Sequence, residues 1–262
     1  MNNMRNKSRV LAAAMAVAGS CAAAPTTDIK ETPMVAPALE HYTDQLLLGE
    51  VWQRPDLSPR ERSIVTLAAL IANNQPQDLP FYLNYALDHG VQPGEIAEII
   101  THLAFYAGWP NAMAAVRAAR PIFAERQIVT EQLPAAGAPL LPMDEKAKTA
   151  EAARASMVEQ NFGKVAPGVV HYTTEALFRN LWLRPGLAPR DRSMVTVSAL
   201  VATGQVAQVS YHLNRAMDNG LDQQQAGEML TQLAFYAGWP SVFSAMPVFR
   251  EVFNQRNHQA KD

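Results

Sequence analysis

The octapeptide LAFYAGWP occupies residues 103–110 and recurs unchanged at 233–240, an offset of 130. The same offset carries HYT at 41–43 to HYT at 171–173, Trp52 to Trp182, and RPDLSPRERS at 54–63 to RPGLAPRDRS at 184–193. Asn84, Asp88 and Gly90 map onto Asn214, Asp218 and Gly220, and the register needs no insertion or deletion from residue 41 to 126. Solenoid repeats run to about 20–50 residues, so this period is too long for one. It is the length of a whole small domain. The chain is therefore expected to hold two tandem copies, at 38–131 and 146–262. They are joined by the Ala- and Pro-rich linker QLPAAGAPLLPMDE at 132–145.

Within a copy the signals are helical, and alternating β-branched runs bounded by turn dipeptides are missing. Ser58 with Glu61 forms a capping box, and Pro59 occupies the first helical position. The following SIVTLAALIA is apolar nearly all round, as a helix at the centre of a bundle should be. A second helix, DLPFYLNYALDH, stops at Gly90. A third starts near Pro93 in copy one and behind the Asp222–Gln225 cap in copy two, and copy one's ends at Gly108. A fourth starts at Pro110 and runs to about Gln127, and the stretch before each Trp supplies a fifth. The expected fold class is all-α.

The N-terminus reads as a processing segment. Arg5, Lys7 and Arg9 precede the short apolar run VLAAAMAVAG and the small residues SCAAAP, the order of a bacterial export signal over residues 1–24. Ala18-Gly19-Ser20-Cys21 resembles a lipobox, which would make Cys21 a lipidated terminus; ordinary cleavage after Ala22 would release a soluble protein instead. Residues 25–37, with three prolines, read as a tether. Either route exports the chain to the periplasm, with a lipid at Cys21 as its only expected membrane contact. The formal net charge of −2 speaks against nucleic acid as a partner. A single cysteine leaves no disulfide or CxxC pair, and no metal-ligand spacing such as HExxH appears.

The ordered motifs W-x-R-P-(G/D)-L-x-P-R-x-R-S, an apolar helix, YHLNRAMDNGL and LAFYAGWP resemble the γ-carboxymuconolactone decarboxylase family, part of the alkylhydroperoxidase-D-like superfamily. The likeness covers nearly all of copy two, and copy one from about residue 41. It implies an all-α fold, chemistry without a cofactor, and trimeric or hexameric rings with sites at subunit contacts. A duplicated chain would act as a ready-made dimer, three of which build a pseudo-hexamer.

His212 is the leading candidate for proton transfer, with Gln208 one turn before it on the same helix face. Arg184, Arg190 and Arg192 cluster near the start of the preceding helix, where a guanidinium can hold a carboxylate through two parallel bonds. Arg192 is expected to act with His212, Arg184 to bind substrate, and Tyr236 to add a hydrogen bond. Arg62 and Arg192 have a plainer reading, as locks on helix ends or as partners of an acid across a subunit contact. Arg60 and Arg190 are expected in solvent, and Tyr106, Tyr236, Trp109 and Trp239 in the core.

The family's E-L-x-x-H pair appears as Gln208 and His212 in copy two but as Asp78 and Tyr82 in copy one, so neither copy holds both members. One site in copy two is the conservative expectation, with Arg62, Tyr82 and Asp78 of copy one as further substrate-binding candidates; a composite in which Asp78 of one copy meets His212 of the other is the alternative. The function expected is a cofactor-free lyase acting on a small carboxylate or lactone. A non-catalytic oligomeric binding protein with decayed sites is the second reading. Peroxidase activity is disfavoured, because Gln205 and Gln208 stand where a CxxC would be needed.

Overall fold

The computed structural model describes residues 35–259. The export signal, Cys21 and most of the tether lie outside the described residues; the tether's last residue, Pro37, opens the first helix. Helix α1 (Pro37–His41) runs into a π-helical stretch, Tyr42–Leu48, and a 3₁₀ turn, Val51–Gln53. Then come α2 (Pro59–Ala72), α3 (Leu79–Asp88), α4 (Pro93–Tyr106) and α5 (Trp109–Glu125). The second copy repeats the order with α7 (Pro167–Tyr172), α8 (Pro189–Ala202), α9 (Val206–Asp218), α10 (Gln223–Tyr236) and α11 (Trp239–Gln259). Between them lies α6 (Glu145–Phe162), a helix without a predicted counterpart. Among the described residues there is no strand, and no helix is long and apolar enough to cross a membrane.

The local signals act as the physics requires. The Ser58 side chain accepts from the Glu61 amide while Glu61 reaches back to the Ser58 amide, closing the capping box at the start of α2. Gly108 (φ 94°) and Gly238 (φ 84°) make the break between the last two helices of each copy, a backbone region that costs an L-residue roughly 1–2 kcal/mol. Helices α2 and α8 are buried from Arg62 and Asp191 onward and pack against each other. They form the centre of one continuous core shared by both copies. Helix α4 of copy one packs on α8, and α10 of copy two packs on α2. Each copy therefore places its α4-type helix, fourth in the observed order and third among those expected from sequence, on the other's central helix.

Three surface expectations are corrected. Trp109 and Trp239 are 59% and 51% exposed rather than in the core. Each meets a phenylalanine edge-on, Phe105 at 5.3 Å and Phe235 at 5.0 Å, because the glycine turn swings the indole outward. Arg60 and Arg190 are not free in solvent: Arg60 pairs with Glu95 and Asp191, and Arg190 with Glu61 and Asp191. These pairs bridge the starts of α2 and α8. The linker, in turn, is tied down. Arg184 donates to the carbonyls of Ala135 and Ala136, and the Leu141 amide donates to Leu183 O at 2.7 Å. Gly186 lies so close that a Cβ there would meet Pro134 at 2.6 Å and Glu98 at 2.7 Å. This strap delivers α6 to the face of copy two.

Candidate functional site

The buried polar groups gather into two sites related by the 130-residue offset, and each draws on both copies. In the site around His212, copy two supplies Trp182, Arg184, Arg192, Thr196 and His212, while copy one supplies Glu98, His102 and Tyr106. Glu98 accepts from Arg184 Nε and Nη2, at 2.8 and 2.6 Å, and from Arg192 Nη2 at 2.9 Å. Burial alone would raise the Glu98 carboxyl; the hydrogen bonds from the two arginines outweigh it and hold the pKa below the usual carboxylate range. Arg192 is fully buried and also donates to Arg184 O. Arg192, expected to act with His212, spends both terminal nitrogens on Glu98, His102 and Arg184 O, with its buried Nε left unpartnered, and Arg184, expected to bind substrate, is largely committed to Glu98 and the linker carbonyls.

His102 is fully buried beside this clamp, with Nε2 at 2.7 Å from Thr196 Oγ1 and Nδ1 at 3.4 Å from Arg192 Nη1. Thr196 uses its own proton on Arg192 O, so the hydroxyl accepts from His102 Nε2–H, and Nδ1 is left to accept from Arg192. Burial and the Arg192 charge push its pKa well below the ordinary value, keeping the ring neutral.

His212 stacks on Trp182 (5.8 Å, 10°) and meets Tyr106 and Tyr211 edge-on at 5.3 and 5.0 Å. It is 6% exposed, and its Nδ1 has no hydrogen-bond partner. Burial, aided by the Arg215 charge, lowers its pKa to about 3. The Tyr106 hydroxyl accepts from Trp182 Nε1 at 2.9 Å, and among the described residues nothing accepts its own proton. In front of this cluster lies a cavity of about 650 Å³ walled by Trp182, Tyr211, Arg215, Phe178 and α6. His212 stands directly behind the Trp182–Tyr211 part of that wall.

The matching site around Tyr82 repeats the clamp. Arg54 and Arg62 hold Glu228, with Arg54 Nε at 2.8 Å and Arg62 Nη2 at 2.8 Å. Gln232 replaces His102, accepting from Arg62 Nη1 and donating to Thr66 Oγ1, so its amide reproduces the donor–acceptor pattern of the imidazole. The mobile chemistry does not repeat. Trp52 donates to Tyr236, and Tyr236 donates onward to the Tyr82 hydroxyl at 3.0 Å. Burial raises Tyr82 to about 12, so it stays a neutral phenol.

The sequence profile of the carboxymuconolactone decarboxylase family matches residues 37–121 and 167–251, one match in each copy. The chain belongs to that family. A 4-carboxymuconolactone decarboxylase of Acinetobacter baylyi is 34% identical over 94 residues, covering 36% of this chain and 70% of the relative. A nitrosuccinic acid decarboxylase of Metarhizium robertsii is 35% identical over 85 residues, covering 32% of this chain and 59% of the relative. A solved structure described as a γ-carboxymuconolactone decarboxylase subunit, from Burkholderia xenovorans, superposes with a TM-score of 0.49 at 15% identity, covering 91% of this chain and 92% of that one.

Within this family framework the predicted residues separate. His212, Arg192 and Arg184 converge on one site. Tyr236, expected beside His212, lies instead with Tyr82 and Trp52, because the fourth helix crosses to the opposite copy. Its counterpart Tyr106 takes the place beside His212. Arg62 joins the Tyr82 site as a structural clamp. Gln208 and Asp78 are exposed, and no hydrogen bond joins Gln208 to His212 or Asp78 to Tyr82. The composite of Asp78 with His212 is therefore not assembled. Sequence reasoning missed Glu98, His102, Arg154 and Arg215. The Glu98/Glu228 pairing was available from the offset, since both positions are acidic in the two α4-type helices. Among the described residues no cluster of three or more His, Cys, Asp or Glu gathers that could hold a metal ion.

Proposed function

We propose that the chain is a carboxy-lyase whose working site is the one around His212, acting without a cofactor on a small acid in which the carbon bearing the scissile carboxylate also carries, or is conjugated to, a carbonyl, lactone or nitro group. The observation that carries this reading is a buried neutral imidazole with an unpartnered Nδ1, packed beside a tyrosine whose hydroxyl proton has no acceptor. The names of the two relatives support the reaction class.

With its pKa near 3, resting His212 is a base at neutral pH. An anion bound about 4 Å away would stabilise the protonated ring by about 4 kcal/mol at an effective dielectric of ~20, or about three pKa units. Binding an acid would thus make His212 easier to protonate from solvent, although most rings would still be neutral at neutral pH. When the carboxylate leaves as carbon dioxide, the electron pair of the broken C–C bond moves onto the adjacent oxygen. Tyr106 donates a hydrogen bond to that developing oxyanion, and His212 returns its proton to carbon. Glu98, Arg184 and Arg192 fix the wall that holds Trp182 and Tyr106 in place. The test is carbon dioxide release from carboxymuconolactone, nitrosuccinate and related acids. Turnover that survives His212→Ala unchanged would end this mechanism.

The same reading includes assembly and export. The exposed faces Phe105–Trp109–Met113 and Trp239–Phe243–Met246 support association of duplicated chains into a trimer of the pseudo-hexameric kind. Light scattering should then give three chains for the wild type and one for a Trp109→Ser, Trp239→Ser double variant. The basic and apolar leader supports periplasmic export, and a palmitate-analogue label retained by wild type but lost in Cys21→Ser would establish the anchor.

A further inference from the structure

The wall of the cavity opposite His212 is made by α6, which lies outside both segments matched by the family profile. That helix brings Arg154 into the cavity lining, and α9 brings Arg215. Both guanidiniums are stacked on aromatic rings. Arg154 sits 4.1 Å above Phe178, and Arg215 4.2 Å above Trp182. Stacking holds a guanidinium by its face and leaves its N–H edge free in the plane, the geometry a carboxylate accepts from.

The edges are incompletely used. Arg154 donates to Glu151 from Nε and Nη2, both at 2.7 Å, and to Thr174 from Nη2; its Nη1 is buried with no partner, in a side chain only 7% exposed. Arg215 has no ion pair or hydrogen bond among the described residues, and its Nε is likewise buried and unpartnered. Buried donors without acceptors cost free energy unless something else supplies the acceptor. The other charges in the lining do not supply it. Glu151 is taken by Arg154, Asp218 by Arg256, and Asp144 caps α6 through the Ala147 amide. Lys146, on α6, adds positive charge. Of the two lining cations without an ion pair among the described residues, Arg215 is the one with a buried, unpartnered donor.

We propose that this cavity is a carboxylate-binding subsite in which the Arg215 edge and Arg154 Nη1 together hold an anionic group of the substrate. The proposal rests on the reading of the His212 site as the working one, and it assigns the hold on the non-reacting carboxylate of a diacid to two side chains, one of them from a helix outside the family segments. The subsite explains why an added helix is strapped over one copy, since α6 provides a donor that the family core does not.

Binding, measured apart from turnover, tests it. Straight-chain dicarboxylates of three to eight carbons, their diamides, and inorganic sulfate are titrated against the full chain by calorimetry and tryptophan fluorescence. At least one dicarboxylate should bind with a dissociation constant below about 10 mM, and its diamide should not. Arg215→Ala should weaken binding at least about tenfold, and Arg154→Lys, which keeps the pair with Glu151 but removes Nη1, about three- to tenfold. Tyr85→Ala, at the position matching Arg215 in copy one, should leave binding unchanged. Equal binding of acid and diamide, sulfate matching the best acid, no acid binding at all, or unchanged affinity in a folded Arg215→Ala protein would each overturn the subsite. Carbon dioxide release with unchanged KM in Arg215→Ala would sink the subsite but leave the lyase reading standing. Charge-dependent binding without release from any acid would do the reverse.

Discussion

At residue 82 a tyrosine accepts the hydrogen bond of Tyr236, whereas at the matching residue 212 an imidazole leaves Tyr106 with a proton and no acceptor. Around these two positions the glutamate clamps, the Trp–Tyr hydrogen bonds and the threonine contacts are the same. The comparison separates what the scaffold requires from what the chemistry requires. The arginines belong to the first group, because both sites keep them. On the proposed reading His212, Arg215 and Tyr211 belong to the second: copy one carries Tyr82, Tyr85 and Phe81 in their places and packs Tyr85 onto Trp52 at 4.7 Å.

The largest effect should come from making copy two resemble copy one at the reacting position. His212→Tyr is expected to lower decarboxylation about 1000-fold, within the ~10²–10⁴ range of a positioned acid–base group, while Tyr82→Phe leaves the rate unchanged. Loss of activity in Tyr82→Phe would dissolve the distinction between working and filled sites. Next, Arg62→Met and Arg192→Met should each cost about 3 kcal/mol in urea unfolding, because either one leaves a buried glutamate under-compensated. Costs differing by more than about 1 kcal/mol would show that the clamps are not equivalent.

The pH response sharpens the contrast. The His212 pKa falls from 6.5 unfolded to about 3 folded, so the native state binds fewer protons between those values. Its stabilising contribution is whole above pH 6.5 and is lost as pH falls toward 3, with a slope of up to about 1.4 kcal/mol per pH unit. His102, also lowered, adds loss in the same direction. His212→Gln should flatten the urea midpoint between pH 6.5 and 4.5, whereas Tyr82→Gln should not; an unchanged slope in His212→Gln would mean the ring is not buried neutral. The smallest effect is expected where copy one borrows from copy two. His102→Gln should cost less than about 1 kcal/mol, since Gln232 makes the same two hydrogen bonds, while His102→Ala, which orphans Thr196 and Arg192, should cost about 2 kcal/mol.

Much of the fold was legible because its signals are local. The Ser58–Glu61 box, Pro59, Gly108 and the constant register locate helices without any tertiary knowledge. Helix α6 could have been read from Asp144, whose side chain caps the Ala147 amide before a run of alanine, glutamate and lysine. It was lost inside a comparison of repeats in which it has no twin. The site was half legible. His212 stands out by chemistry and resemblance, but Tyr236 was placed beside it because both belong to copy two. Which tyrosine meets which histidine depends on α4 and α10 crossing between copies, and no spacing along the chain records that crossing. Arg192 misled for the same reason, since its acid lies in the other copy at Glu98.

The crossing of those two helices binds the fates of the halves. Copy one carries Tyr82 where copy two carries His212, yet its Glu98, His102 and Tyr106 complete the walls around its neighbour's histidine. A gene fragment encoding either half alone would make a protein with a torn wall and an unanswered arginine.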